Sequence, residues 1–283
     1  MKVSYYPGCS LEATARDYQE SLAYVCQELG IELAEVPDWS CCGATAAHSL
    51  DPFLSLALPT RNLALAEAIG LDLVVPCPMC FNRLQTAAHE LKQGPVEGLP
   101  YAYGGRIRVW DLLDFLSQEA LLPAIQSRIQ QPLKDLSVVC YYGCMANRPP
   151  KVTGAQQYEN PQNMDRLLKA LGAKVPDWSY KTDCCGASHT VARPDIVQTL
   201  VQRLYDRALE AGAEAIVVSC QMCQANLDMT QAKISELSQK QYKLPVYYFT
   251  ELIGLAWKAP QVKTWLSRHL VNPKPLLERK GLL

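Results

Sequence analysis

The sequence lacks any run of about 18 apolar residues, which excludes a helix that crosses a bilayer. No basic start leads into an apolar stretch, so no secretory leader is expected. Neither sign of charge is in excess. The 27 Lys and Arg against 28 Asp and Glu leave a net charge of −1, and nothing favours nucleic acid. A GxGxxG following a strand-like run is missing, which excludes the usual cradle for a flavin or nicotinamide dinucleotide. So is the CxxCxxCxxxCP run of bacterial ferredoxins. The chain reads as cytosolic, with peripheral contact to a membrane left open. Any electrons it handles must enter from another protein.

Cysteine is abundant. Ten of the 12 cysteines fall into two copies of one pattern. Copy one is Cys9, then Cys41-Cys42-Gly43, then Cys77-Pro78-Met79-Cys80. Copy two is Cys144, then Cys184-Cys185-Gly186, then Cys220-Gln221-Met222-Cys223. The gaps 43–76 and 186–219 are both 34 residues long. In a reducing compartment such an array points to metal or redox chemistry rather than structural disulfides. Each copy gathers five thiols, one more than a tetrahedral zinc or a cubane cluster takes. Three readings stay open on spacing alone: zinc with one idle sulfur, a cubane with a spare cysteine, and a cluster that engages all five.

With 283 residues, 49% of them hydrophobic, the chain is long enough for two well-packed domains. The repeat extends beyond cysteine. Val36-Pro37-Asp38-Trp39-Ser40 recurs as Val175-Pro176-Asp177-Trp178-Ser179, and Tyr180–Asp183 is an insertion before the second CC pair. Short apolar runs alternate with helical patterns, as in parallel α/β units. The first half predicts strands at Val3–Tyr6, Ile31–Val36, Leu71–Val75 and Ile107–Trp110, and helices at 11–29, Pro52–Ile69 and from about Met79. The second predicts strands at Ser137–Tyr141, Ala215–Val218 and Val246–Phe249, with helices at Met164–Leu171 and Asp195–Ala211. The expected fold class is α/β: two tandem domains, 1–131 and 132–283, each a small parallel sheet with flanking helices, related by internal duplication and joined through 117–135.

Cys9, Cys144, Cys77 and Cys220 all follow predicted strands. Parallel sheets place ligand sites at the carboxyl ends of strands, so these cysteines should converge. A strand-to-helix turn also aims backbone N–H groups at the site, where they favour thiolates. Adjacent side chains diverge in extended chain, so each CC pair calls for a polynuclear cluster or a tight turn that Gly43 and Gly186 allow. Cys26, on an apolar helix face, and Cys140, inside a strand, read as core residues.

The arrays resemble the CCG domain, and two in tandem resemble the B-subunit of heterodisulfide reductase. Pro245-Val246-Tyr247-Tyr248-Phe249-Thr250-Glu251-Leu252 and Pro273-Lys274-Pro275-Leu276-Leu277 carry the resemblance into the tail. It implies two noncubane [4Fe-4S] clusters, one on Cys9, Cys41, Cys42, Cys77 and Cys80, the other on Cys144, Cys184, Cys185, Cys220 and Cys223. It also implies that the clusters face each other across the domain interface and that substrate binds between them. The activity it implies is two-electron reduction of a disulfide, within a complex that supplies an iron–sulfur electron-donor subunit. Related subunits of type E succinate dehydrogenases leave a quinone-reducing role open, and a non-catalytic electron relay is the third reading.

Weaker signals lie around these motifs. His48, His189, Arg83, Arg148 and Lys181 flank the cysteine turns, where they could orient an anionic substrate, tune a cluster, or serve structure alone. Trp39 and Trp178 are placed to shield a cluster from water. Val262, Trp265, Leu266, His269 and Leu270 form an amphipathic face in a basic tail. That face fits the tail's own domain, a partner, or an anionic membrane reached through 259–283.

Overall fold

The computed structural model describes residues 1–44 and 46–283. In the first half, β1 (Lys2–Tyr5) leads into α1 (Cys9–Ala13) and α2 (Arg16–Glu28). Next come β2 (Glu32–Glu35), α3 (Ala46–Leu50), α4 (Pro52–Ile69), β3 (Leu73–Val75), α5 (Pro78–Gln93), β4 (Val109–Asp111), α6 (Leu112–Leu116) and α7 (Leu122–Gln126). The second half runs β5 (Val138–Tyr141), α8 (Pro150–Thr153), α9 (Asn163–Ala170), α10 (Pro194–Glu210), β6 (Ala215–Val218) and α11 (Gln221–Ser238). It ends with β7 (Val246–Tyr248), α12 (Phe249–Ala256), α13 (Val262–Leu266) and α14 (Lys274–Arg279). The strands form two wholly parallel sheets, ordered β2-β1-β3-β4 and β5-β6-β7. The chain is therefore α/β with two duplicated units, as the pattern predicts.

Local chemistry sets the element ends. The Asp51 carboxylate accepts from the Phe53 and Leu54 N–H groups and caps α4. Pro52 fits its first turn, and Gly70, at φ 76°, ends it in the left-handed region. The helix expected over 11–29 is instead two. The Thr14 and Ala15 N–H groups both bond the Ser10 carbonyl, and Ala15 leaves helical geometry. The second sheet lacks a counterpart of β2, where a lone bridge, Ser137 to Lys174, stands in its place. The segment between Gly172 and Pro176 has three residues, against six between Gly30 and Pro37, too few for a strand.

One hydrophobic core spans both halves, from Val3, Tyr5 and Leu22 to Val138, Val217 and Trp257. A smaller one, with Tyr6, Leu63, Val75, Phe81 and Leu84, lies under the first cysteine array. Helix α2 packs on α12 and α13, and Ser21 Oγ meets Thr250 Oγ1 at 2.7 Å. The connection 117–135 is not a free linker. Gln130 and Gln131 donate to the Ala256 carbonyl, and Trp257 Nε1 donates to that of Ile125.

The tail's apolar face is spent on this core: Val262, Trp265, Leu266, Leu276 and Leu277 are buried, and only Leu270 of the expected stripe is exposed. None of the helices is long and apolar enough to cross a membrane among the described residues. His269 locks the tail down, with Nε2 2.9 Å from Glu251 and 3.6 Å from Asp17, all three buried. Burial alone would lower the His269 pKa, but the carboxylates of Glu251, Asp17 and Asp228 outweigh it and hold it near 9. The folded value lies above the ordinary 6.5, so the imidazolium contributes stability in full below about pH 6.5 and loses it as pH rises through 9. His269→Gln should lower the melting temperature at pH 6 by several degrees. It should also remove a stability loss that the unaltered chain shows between pH 7 and 10; equal pH profiles for the two proteins would refute this account.

Candidate metal centres

Each array forms where strands end. Cys9 starts α1 directly after β1, Cys41 and Cys42 follow β2, and Cys77 follows β3 and caps α5. Cys144 follows β5, Cys184 and Cys185 come directly after the inserted Tyr180–Asp183, and Cys220 follows β6 and precedes α11. The structure brings the five cysteines of each copy together. Cys42 Sγ lies 3.3 Å from Cys80 Sγ, and Cys185 Sγ 3.7 Å from Cys223 Sγ. Cys41 pairs with Cys42, and Cys77 with Cys80, while Cys9 is near enough to push the Cys41 thiol up. In copy two Cys144 pairs with Cys184 and Cys220 with Cys223. Cys26 and Cys140 are buried in the core.

Glycines make the turns. Gly43 and Gly186 have φ of 72° and 80°, and their N–H groups donate to Cys41 Sγ at 3.4 Å and Cys184 Sγ at 3.3 Å. Gly8 and Gly143 allow close approach. A Cβ there would stand 3.0 Å from Cys80 Sγ and 3.1 Å from Cys223 Sγ. The Cys80 N–H donates to Cys77 Sγ at the start of α5.

These surroundings sort the thiols. Hydrogen bonds from Cys41 and Cys80, with the Arg83 charge, hold Cys42 down to about 4. Cys144 and the Gly186 N–H hold Cys184 at about 6, and His189 adds to this. Cys41, Cys80, Cys144 and Cys223 are pushed up by their thiolate neighbours and by burial. Five thiols so placed ionise together only against a bound cation, so metal loading releases protons.

A tyrosine stands over each array. Tyr6 OH donates to the Ser40 carbonyl and Tyr141 OH to that of Asp183, the residues just before the two CC pairs. Trp39 meets Tyr6 edge-on, and Trp178 does the same to Tyr141. The tryptophans thus act through the tyrosines. The Tyr-x-Gly-Cys repeat at 6–9 and 141–144 was the available signal.

The arrays meet across the interface. Tyr18 OH donates to the Ser219 carbonyl at 3.0 Å and lies 3.4 Å from that of Pro76, the residues before Cys220 and Cys77. The Tyr18 ring stacks on Tyr248 at 4.3 Å. Asn82 Nδ2 donates to the Met145 and Arg148 carbonyls and ties α5 to the Cys144 loop. A cavity of about 530 Å³ opens beside this seam, lined from both halves by Phe81, Arg108, Asp111, Asn147, Arg166 and Ser219.

Of the flanking charges, Arg83 faces Cys42 and His189 faces Cys184. His48 is exposed, and Arg148 bonds Glu159 and Thr182. Lys181 is structural. It is buried, with Nζ 2.8 Å from Asp165, whose other oxygen accepts from Tyr142 OH at 2.6 Å. The Lys181 carbonyl also accepts from the Tyr142 and Gly143 N–H groups and so fixes the approach to Cys144.

Lys181→Met strands the buried Asp165 carboxylate and should cost about 3–5 kcal/mol. Denaturant titration measures it, and a loss under 1 kcal/mol would contradict the network. In the metal-free protein, mass mapping after brief iodoacetamide treatment at pH 7 should find exposed Cys184 alkylated early. Cys26, pushed up to about 12 by burial, should react only on unfolding, and early Cys26 labelling would overturn this ordering.

The cysteine-rich domain family matches residues 3–85 and 138–228, the two repeats. The chain is 30% identical to the 8-methylmenaquinol:fumarate reductase membrane anchor subunit of Wolinella succinogenes, covering 96% of this chain and 98% of that one. It is also 30% identical to the B-subunit of the ferredoxin/F(420)H(2)-dependent CoB-CoM heterodisulfide reductase of Methanosarcina acetivorans, covering 90% and 89%. Among solved structures, a hypothetical protein from Helicobacter pylori shares the fold with a TM-score of 0.72 at 12% identity, over 96% of this chain and 52% of that one. With its tandem cysteine-rich domains and these relatives, the chain belongs to the heterodisulfide reductase B-subunit family of iron–sulfur oxidoreductase proteins.

Proposed function

We propose that each array holds one [4Fe-4S] cluster of the noncubane kind that uses all five sulfurs. Cys9, Cys41, Cys42, Cys77 and Cys80 hold the first, and Cys144, Cys184, Cys185, Cys220 and Cys223 the second. The observation that carries this is that five sulfurs gather in each copy and the two sets meet at Tyr18. The surroundings fit an anionic cluster: N–H donors at Gly43, Gly186 and Cys80, and glycine where a side chain would crowd a sulfur. Zinc would leave one sulfur of each five idle. Residues 1–131 and 132–283 are the two cluster-bearing units.

The activity is two-electron reduction of a disulfide bound in the cavity between the units, to which clusters held by the two arrays would supply the electrons one at a time. Arg108 and Arg166 offer cations to an anionic substrate, and Phe81 and Trp110 offer apolar surface. The cavity supports a catalytic role over a pure relay. A quinone is the second reading, favoured by the relative named as an 8-methylmenaquinol:fumarate reductase subunit, which aligns over nearly its whole length. Electrons enter from an iron–sulfur partner subunit docked near the exposed Cys9, Cys41 or Cys184, and the chain acts within that complex. It works on the cytoplasmic side. Any contact with an anionic membrane through 259–283 rests on the basic residues, since the apolar face is buried.

Anaerobic purification should yield about eight irons and matching labile sulfide per chain. Cys41→Ser or Cys185→Ser should each roughly halve the iron, while Cys26→Ser leaves it unchanged. Stoichiometric zinc without visible absorption would end this reading.

A further inference from the structure

Asp111 ends β4 and caps α6, with Oδ1 accepting from the Leu113 N–H at 2.9 Å. Its Oδ2 has no partner, although the residue is only 2% exposed. Buried carboxyl oxygens ordinarily find partners, and a buried unpaired charge is expensive. Burial first, and then the neighbouring Asp114, push the Asp111 pKa well up and so favour its neutral acid form. A proton on Oδ2 would meet no protein acceptor, and the residue belongs to the lining of the cavity shared by both units.

The groups around it come from every side. Asp114 stands on its own helix, Arg108 just before β4, Cys77 after β3, Tyr18 on α2, and Tyr142 and Arg166 across the cavity. The acid has no twin. Asp111 pairs in register with Val75, and Tyr248 pairs with Val218 at the matching place in the second sheet. Tyr248 is engaged by its stack on Tyr18. Among the described residues that line the cavity, the carboxyl groups, Asp111 and Asp114, both stand on the first-half side.

We propose that Asp111 is the proton donor to a two-electron, two-proton acceptor bound in this cavity. This rests on the functional reading above. Two electrons from iron–sulfur centres split an S–S bond into two thiolates, or turn a quinone into its dianion. The Asp111 O–H bond breaks and its proton goes to one sulfur or oxygen. The second proton comes from water on the open side, and the Asp111 carboxylate is reloaded from solvent through exposed Asp114. In the reverse direction the same carboxylate takes up the proton.

The test uses the cluster-loaded protein with reduced methyl viologen as donor and two acceptors, menadione and glutathione disulfide. Asp111→Asn keeps the cap to Leu113 and the shape but has no acidic proton. Turnover should fall about 100-fold with whichever acceptor the unaltered protein reduces, at unchanged iron and labile sulfide. The acceptor reduced tells disulfide from quinone. The acid form is the active one, so turnover of the unaltered protein should decline as pH rises through the raised Asp111 pKa. Infrared spectra at pH 7, which need no turnover, should show a carboxylic-acid C=O band in the unaltered protein that is missing in the variant. Turnover of the variant within twofold of the unaltered protein, a flat pH profile, or no such band would overturn the proposal and leave the cluster reading standing. Failure of the unaltered, fully loaded protein to reduce either acceptor would overturn the functional reading itself.

Discussion

Everything near the two arrays answers to one electrostatic constraint: five thiols gathered in a small, half-buried space repel one another as they ionise. The surroundings offset that repulsion with fixed dipoles rather than with paired cations. The Gly43, Gly186 and Cys80 N–H groups point at sulfurs, and α5 and α11 begin at the arrays. Arg83 adds positive charge to the first copy and His189 to the second. Such a site is poised for a polynuclear cation and is unfavourable when several thiolates form without one.

The second organising feature is the seam at Tyr18. One hydroxyl spans the carbonyls that precede Cys77 and Cys220, so the two arrays are held at a fixed approach by a residue that belongs to neither. The stack on Tyr248 and the hydrogen bonds from Asn82 hold the same joint. Since α2 also packs on α12 and α13, one cooperative core carries both sites. A shared core suits chemistry that needs both centres at one substrate, because neither can drift from the other without opening it.

The repeats have diverged where function and packing allow. In the second sheet the shorter segment makes only a single bridge where the first has an edge strand, and Lys181, within the insertion Tyr180–Asp183, lies buried and braces the Cys144 loop. At matching ends of β4 and β7 stand a carboxyl and a phenol. The cavity between two similar centres is therefore chemically lopsided, which suits a substrate whose two ends are handled differently.

Cysteine spacing, the doubled motifs and the alternation of strand and helix lie within short windows. The sequence alone therefore determined the duplication, the parallel α/β class and the sets of cysteines that meet. Helix α4 was legible to the residue because its caps, Asp51 with Pro52 and Gly70, are local. The break at Thr14 was not, because nothing in the apolar spacing marks a turn closed on Ser10. Tyr18 and Ser219 are 201 residues apart, and no local pattern links them. Burial of the tail's apolar face was equally invisible, since an amphipathic stripe reads the same against a core, a partner or a membrane. Only the tertiary structure could choose there, because burial and the unmet Oδ2 of Asp111 are properties of the assembled surroundings rather than of any stretch of chain.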